Sequence, residues 1–472
     1  MAAASEPTWS GAEPGSGPAG PAAEAGPAAE AGPTAGPAEP TADAEAAAVE
    51  MCRELIRIPS VNLGDGDGDE RAAAEYVAER LAEVGLEPTI LQSVPRRTSV
   101  VARFEGADPS RGALLVHGHL DVVPAQSGDW QVDPFAGEIR DGCIWGRGAV
   151  DMKDGIAMSL AVVRDWARSG RKPPRDLVLA FVADEEAGGV LGARWLVDNR
   201  PDLFDGCTEA ISEVGGFSYT LRDDLRLYLI ETAQKGMAWM RLTAVGRAGH
   251  GSFVPEDNAV TRLCQAVARL GTHRFPIQLT PTVRTFLDAV SESTGVSFDP
   301  ADPEGVVARL GSLARLVGAT LRNTAHPTQL AAGYKVNVIP GQASAGVDGR
   351  FLPGHEEEFD RELDAVLGPE IQREWIVHDQ AIEEPFEGPL VDGMAAALRA
   401  EDPGARAVPY MLPGGTDAKS FSRLGIRCYG FSPLRLPPDM DFAAMFHGVD
   451  ERVPVDGLRF GVRVLNRFLA GV

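Results

Sequence analysis

The chain is short of basic residues, of cysteine and of long apolar runs, and each shortage excludes something. Lysine and arginine together number 44 against 68 aspartates and glutamates, a formal net charge of −24 at pH 7. Phosphate backbones and anionic lipid surfaces call for the opposite sign, so nucleic acid and membranes are excluded as main partners. The five cysteines (Cys52, Cys143, Cys207, Cys264 and Cys428) are scattered, odd in number and never spaced Cys-x-x-Cys. That pattern fits reduced thiols in a cytoplasm and argues against a disulfide scaffold or a thiolate zinc site. No apolar run approaches the roughly 20 residues that span a bilayer. The first basic residue is Arg53 and no apolar segment precedes it, so no secretory leader of the usual form is expected. The expectation is a soluble cytoplasmic protein.

Residues 1–44 are almost wholly small residues, proline and glutamate, and such a segment is predicted to be disordered. The remaining length and the 44% hydrophobic content suffice for two domains with real cores. Strands are predicted at Thr89–Leu91, Ser99–Phe104, Ala113–Val116 and Asp176–Ala183, with helices at Ala46–Ile58, Glu70–Val84 and Ile156–Arg168. From about Glu231 the texture changes. A strand (Met237–Val245), a helix (Asn258–Leu270), a long weakly patterned segment (Phe275–Thr328) and two strands (Ala331–Val338 and Gly341–Phe351) suggest an α+β insert. Helix, strand and helix then resume at Glu356–Leu367, Glu374–Val377 and Leu390–Ala400, and a final helix covers Val455–Leu469. The predicted organisation is a tail (1–44), a catalytic domain in two parts (45–232 and 354–472) and an interrupting domain at 233–353.

The chemistry gathers where predicted strands end. Ala113–Val116 runs into His117-Gly118-His119-Leu120-Asp121, and in open α/β sheets ligands sit at the carboxyl ends of strands. His119 and Asp121 are two apart and share a side of an extended chain, where the carboxylate can orient the imidazole. A histidine merely satisfied by hydrogen bonds is the bland reading. Gly146-Arg147-Gly148-Ala149-Val150-Asp151 breaks the dinucleotide fingerprint and reads instead as a tight loop presenting Asp151, or as a helix cap. Asp184-Glu185-Glu186 follows a second buried strand and Glu213 follows a third, with His447 near the C-terminus. Clustered carboxylates repel one another unless solvent or a cation relieves them. Two imidazoles and three carboxylates (His119, Asp151, Glu186, Glu213 and His447) form a nitrogen/oxygen donor set suited to zinc, cobalt or manganese. Five ligands exceed what one tetrahedral metal needs and suit two metals, leaving Glu185 free as a general base.

These motifs, taken in order, resemble the co-catalytic zinc metallopeptidases of the glutamate carboxypeptidase, aminoacylase and succinyl-diaminopimelate desuccinylase type. The resemblance spans about Ala44 to Val472. It implies a zinc-exopeptidase-like α/β catalytic domain with a mixed central sheet flanked by helices, interrupted by a smaller ferredoxin-like α+β lid that carries the dimer interface. It implies two Zn2+ per chain, with Co2+ or Mn2+ as substitutes. His119 and Glu213 then hold one metal, Glu186 and His447 the other, and Asp151 bridges. Asp121 orients His119, Glu185 is the base, and His117 is not a ligand. His250, in Gly249-His250-Gly251, reaches a partner subunit's active site, while Asn337, Arg350, Gly414, Gly415 and Thr416 grip substrate. Arg350 suits a carboxylate because guanidinium binds it bidentately, although a structural ion pair is the simpler reading. The implied reaction is hydrolysis of a peptide or an N-acyl amino acid by metal-activated water, acting on a small-molecule substrate in a homodimer. A carbamoyl or succinyl amide, or a silent metal-binding relative, are the alternatives.

Overall fold

The computed structural model describes residues 40–472 except 65, 66, 296, 297 and 312. The expected tail therefore lies outside the described residues up to 39. Its predicted end at 44 falls inside a helix, because the first helix spans Ala42–Ile56 rather than starting at Ala46. Thr41 caps it, its hydroxyl oxygen accepting from the Ala44 amide and donating to Asp165 at 2.6 Å.

The larger body is built on a ten-stranded mixed sheet. Its centre is parallel: Leu177–Val182, Ala113–His119, Cys207–Ser212 and Arg427–Gly430 run side by side in that order. Leu177–Val182 and Ala113–His119 are buried at every position, which is why they read as continuous apolar runs rather than alternating ones. Thr89–Val94 and Arg97–Phe104 extend one edge as an antiparallel pair. Phe217–Arg222, Leu225–Gln234 and Ala405–Leu412 extend the other, and sequence reading had marked none of these three. Helices Ala42–Ile56, Lys153–Ser169 and Val455–Gly471 pack together against the sheet, with Trp166 wholly buried among them.

The smaller sheet is antiparallel, in the order Thr324–Ala332, Gln342–Phe351, Gly236–Val245, Ile371–Asp379. Helices Ala259–Thr272 and Glu356–Leu367 bury Leu263, Ala266, Leu270, Phe359, Leu363 and Leu367 against one face. This β-α-β-β-α-β order is the ferredoxin-like arrangement expected. Its extent differs from expectation. Gly236–Val245 pairs with Ile371–Asp379 along its length, so the boundary predicted at 353 falls inside this sheet and the insert runs to about 379. The strand predicted at Ala331–Val338 is instead Thr324–Ala332, ended by Gly333 at φ +67°. The weakly patterned segment holds helices Pro281–Thr294, Pro303–Val307 and Leu313–Gly318, and two of them pack on strand Ala405–Leu412 of the larger sheet. No helix among the described residues is long and apolar enough to cross a membrane.

The cap at Thr41 gives a direct test of where the fold begins. Deleting residues 1–39 keeps the cap and is expected to leave the melting temperature unchanged. Thr41→Ala is expected to cost about 1 kcal/mol in chemical denaturation. A large loss from the deletion would show that residues 1–39 contribute to the fold.

Candidate active site

Three neighbouring parallel strands deliver the site. Ala113–His119 ends in His119, Leu177–Val182 leads into Asp184-Glu185-Glu186, and Cys207–Ser212 leads into Glu213. Asp151 stands just before helix Lys153–Ser169, across a cis peptide to Met152, and His447 follows the short helical turn Phe442–Ala444. The five predicted ligands and Glu185 converge. His119 Nε2 lies 3.0 Å from Asp151 and 3.2 Å from Glu213, and His447 Nε2 lies 3.3 Å from Asp151 and 2.9 Å from Glu186. Asp151 thus stands between the imidazoles, one carboxylate oxygen toward each. His119, Glu185 and Glu213 form one group whose ligand atoms lie within 4.8 Å, and His119, Asp151 and Glu186 another.

The backbone is bent to make this possible. Asp184, Val214 and His447 are non-glycine residues in the left-handed region, at φ 72°, 53° and 58°. Such conformations cost on the order of 1–3 kcal/mol each and cluster where a site over-determines them. The strain sits beside Glu185, Glu213 and the His447 ring, where it aims side chains into one space.

The electrostatics show what the cluster is short of. Burial pushes the Glu185 carboxyl well above its ordinary range, with Glu213 adding to the rise. Burial, with the Asp151 charge adding, raises Glu186 to about 7. Hydrogen bonds to Asp151 and Glu186 lift the His447 imidazole to about 10. The Glu186 Oε1 atom is buried with no hydrogen-bond partner among the described residues. A buried carboxylate oxygen without a partner, in an all nitrogen/oxygen donor set, fits divalent cations well.

Asp121 behaves differently from expectation. His119 Nδ1 meets the Asp121 backbone carbonyl at 2.9 Å, while the Asp121 carboxylate is 3.7 Å away. The carbonyl fixes Nδ1 as the donor and leaves Nε2 facing the carboxylates. The Asp121 carboxylate instead accepts from the amides of Glu185 and Glu186 at 3.2 and 3.1 Å, anchoring the loop that carries both. Asn62 donates to it at 2.8 Å, and buried Arg97 donates to Asn62 at 2.9 Å and to Glu70 at 2.5 Å. On the other side, the buried Glu451 carboxylate accepts from the amides of Gly148, Val150 and Asp151 and from Arg147 at 2.7 Å, holding the Asp151 loop. Asn62, Glu70, Arg97 and Glu451 were not singled out from sequence. Arg147 stands in the glycine loop that the sequence marks, but nothing local pairs it with Glu451, 304 positions on.

The remaining predicted residues divide. Arg350, Gly414, Gly415 and Thr416 line a cavity of about 220 Å3 beside Glu185 and Glu186. Arg350 also bonds Asp348 at 2.7 Å and lies over the Trp239 ring, so the structural ion pair exists alongside any substrate contact. The Thr416 hydroxyl is engaged by Gln234 at 2.8 Å. Asp417 and Lys419 line the same cavity and were missed, although they belong to the same glycine loop. His250 and Asn337 do not line either cavity at the cluster. They sit together on the smaller body, where Gly249–His250 pairs with Val338–Ile339, and both are exposed.

Comparison with known proteins places the chain in a family and finds its fold among solved structures. Residues 115–471 match the family described as peptidase family M20/M25/M40. The N-fatty-acyl-amino acid synthase/hydrolase PM20D1 of Homo sapiens is 28% identical, covering 91% of this chain and 88% of its own. Aminoacylase-1 of Mus musculus is 25% identical, covering 91% and 96%. Among solved structures, the metallo-carboxypeptidase Sso-CP2 from Sulfolobus solfataricus superposes with a TM-score of 0.67 at 16% identity, covering 90% of this chain and 98% of that one. The chain belongs to peptidase family M20/M25/M40 and is a metal-dependent hydrolase of amide bonds.

Proposed function

We propose that the protein cleaves a peptide or an N-acyl amino acid at a two-metal site, with Glu185 as general base. The observation that carries this reading is the placing of Asp151 between His119 and His447, with Glu213 on one side and Glu186 on the other. His119 and Glu213 would hold one cation, His447 and Glu186 the second, and Asp151 both. Zinc suits these donors, with cobalt or manganese as substitutes. Bound there, the cations supply Lewis acidity and an acidified water. Glu185, half-buried beside the cluster, would take a proton from the attacking water and return it to the leaving amine. Asp121 keeps Glu185 in place through the loop amides, and Arg350 offers its guanidinium to the free carboxylate of the substrate. The names of the relatives, an acyl-amino acid hydrolase and an aminoacylase, support the substrate class.

The same reading takes the working form to be a homodimer. Around His250 and Asn337 the smaller body exposes Phe253, Val254, Leu330, Tyr334 and Val336, with Val254 almost fully exposed at 96%. An apolar patch of this kind marks an interaction surface, and it surrounds the predicted catalytic His250 and the predicted substrate-binding Asn337, neither of which lines the cavities at its own chain's cluster. His250 then serves the partner's site, polarising the scissile carbonyl. The five unpaired cysteines support a reducing compartment such as the cytoplasm.

Glu185→Gln is expected to retain metal and substrate affinity while kcat falls by about 10²–10⁴-fold. Retention of activity within tenfold would remove Glu185 from the base role. Mixing His250→Ala chains with Glu185→Gln chains is expected to restore up to about a quarter of wild-type activity if sites are shared across a dimer. Absence of rescue, with subunit exchange verified by mass, would refute that arrangement.

A further inference from the structure

Two cavities meet over the carboxylate cluster, and they differ in chemistry. Both draw on Glu185, Glu186, the Gly414–Thr416 loop and His447. The first continues over Trp239, Arg350, Asp379 and Lys419, all of them able to engage a polar or charged group. The second, about 270 Å3, continues over Val214, Phe217, Leu316, Tyr410, Ala443 and Phe446. Beyond the cluster its walls are carbon. The one hydroxyl among them, on Tyr410, is spent on the Val214 carbonyl.

The apolar walls are held firmly. The Phe217 ring meets Tyr410 edge-on at 5.8 Å and Phe442 at 4.9 Å, and Phe442 meets Phe446 at 5.2 Å. Such tilted pairs resist repacking. Leu316 arrives from helix Leu313–Gly318, in the segment between 275 and 328. Tyr219 donates to the Leu310 carbonyl at 2.7 Å, and helix Pro281–Thr294 packs on strand Ala405–Leu412, so this segment is fixed to the larger body as a wall.

An amide whose carbonyl lies at the cluster sends one substituent into each cavity. We propose that the apolar cavity receives the acyl portion, favouring an aliphatic or aromatic acyl group of several carbons, while the amino-acid portion lies toward Arg350. This rests on the amide-hydrolase reading above and adds the direction and the acyl chemistry. Acetyl would leave water against carbon walls, forfeiting the burial that a longer chain supplies. A succinyl or other charged acyl end would lose its hydration with no partner among those side chains. Leu316, Ala443 and Phe446 are therefore the specificity-determining positions.

The test compares kcat/KM for N-acetyl-, N-hexanoyl- and N-decanoyl-leucine, alongside calorimetric titration of zinc-loaded protein with acetate, hexanoate and decanoate. A buried methylene brings up to roughly fourfold in affinity, so hexanoyl is expected to exceed acetyl by at least about 20-fold. Leu316→Gln, which makes the wall polar, and Ala443→Leu, which fills it, are each expected to lower the hexanoyl-to-acetyl ratio about fivefold or more. Alkanoate affinity is expected to rise with length and to flatten in both variants. A wild-type ratio near one, alkanoate binding independent of length, or an unchanged ratio in both folded variants overturns the proposal. Alkanoates that rank by length with no amide cleaved would instead sink the hydrolase reading while leaving the cavity's acyl assignment standing.

Discussion

The structure turns on a surplus of buried negative charge. Asp151, Glu185, Glu186, Glu213, Asp121 and Asp417 lie in one region, with His119 and His447 as the imidazoles directly among them. Burial without compensation pushes carboxyls toward their neutral forms, as the raised Glu185, Glu186 and Asp417 show. Much of the surrounding architecture consists of holding these groups together against their mutual repulsion.

The means of holding are backbone amides and two buried arginines. The Asp121 carboxylate grips the Glu185–Glu186 loop from below and is itself fixed through Asn62 by Arg97. The Glu451 carboxylate grips the Gly148–Asp151 loop and is paired with Arg147. Removing one member of such a buried pair leaves an uncompensated charge, which typically costs 3–5 kcal/mol. The two arrangements differ in one respect. Arg147 pairs directly with the carboxylate that holds its loop, whereas Arg97 pairs with Glu70 and Asp184 and reaches Asp121 only through Asn62. The two cavities over the cluster are walled by other elements, the Gly414–Thr416 loop, the smaller sheet through Trp239 and Arg350, and helix Leu313–Gly318 through Leu316.

What sequence made legible was chemistry at strand ends. His119, Glu185, Glu186 and Glu213 each follow a short buried run, and a parallel strand shows itself through its apolar continuity. The same logic does not reach partners joined only by the fold. Nothing near Asn62 or Arg97 points to Asp121, and the Asp121 role shifted from its carboxylate toward His119 to its carbonyl for the same reason. The boundary of the smaller domain differs from expectation because Glu356–Leu367 has an apolar stripe that would suit either sheet, and only the pairing of Gly236–Val245 with Ile371–Asp379 decides between them. The 275–328 segment did carry a helix signal, Thr280 followed by Pro281, with Thr280 capping the Val283 amide. Its partner surface was invisible, so its place against the larger sheet was too.

The most direct test of the central claim is metal stoichiometry. Metal-free protein titrated with zinc in a calorimeter, with bound metal counted by elemental analysis, is predicted to take up two ions per chain and to gain thermal stability with each. Asp151→Asn, placed between both imidazoles, is predicted to weaken both sites together rather than one alone. Full amidase activity with a single bound ion, or uptake of two ions that Asp151→Asn leaves untouched, would contradict a shared cluster built to hold two cations.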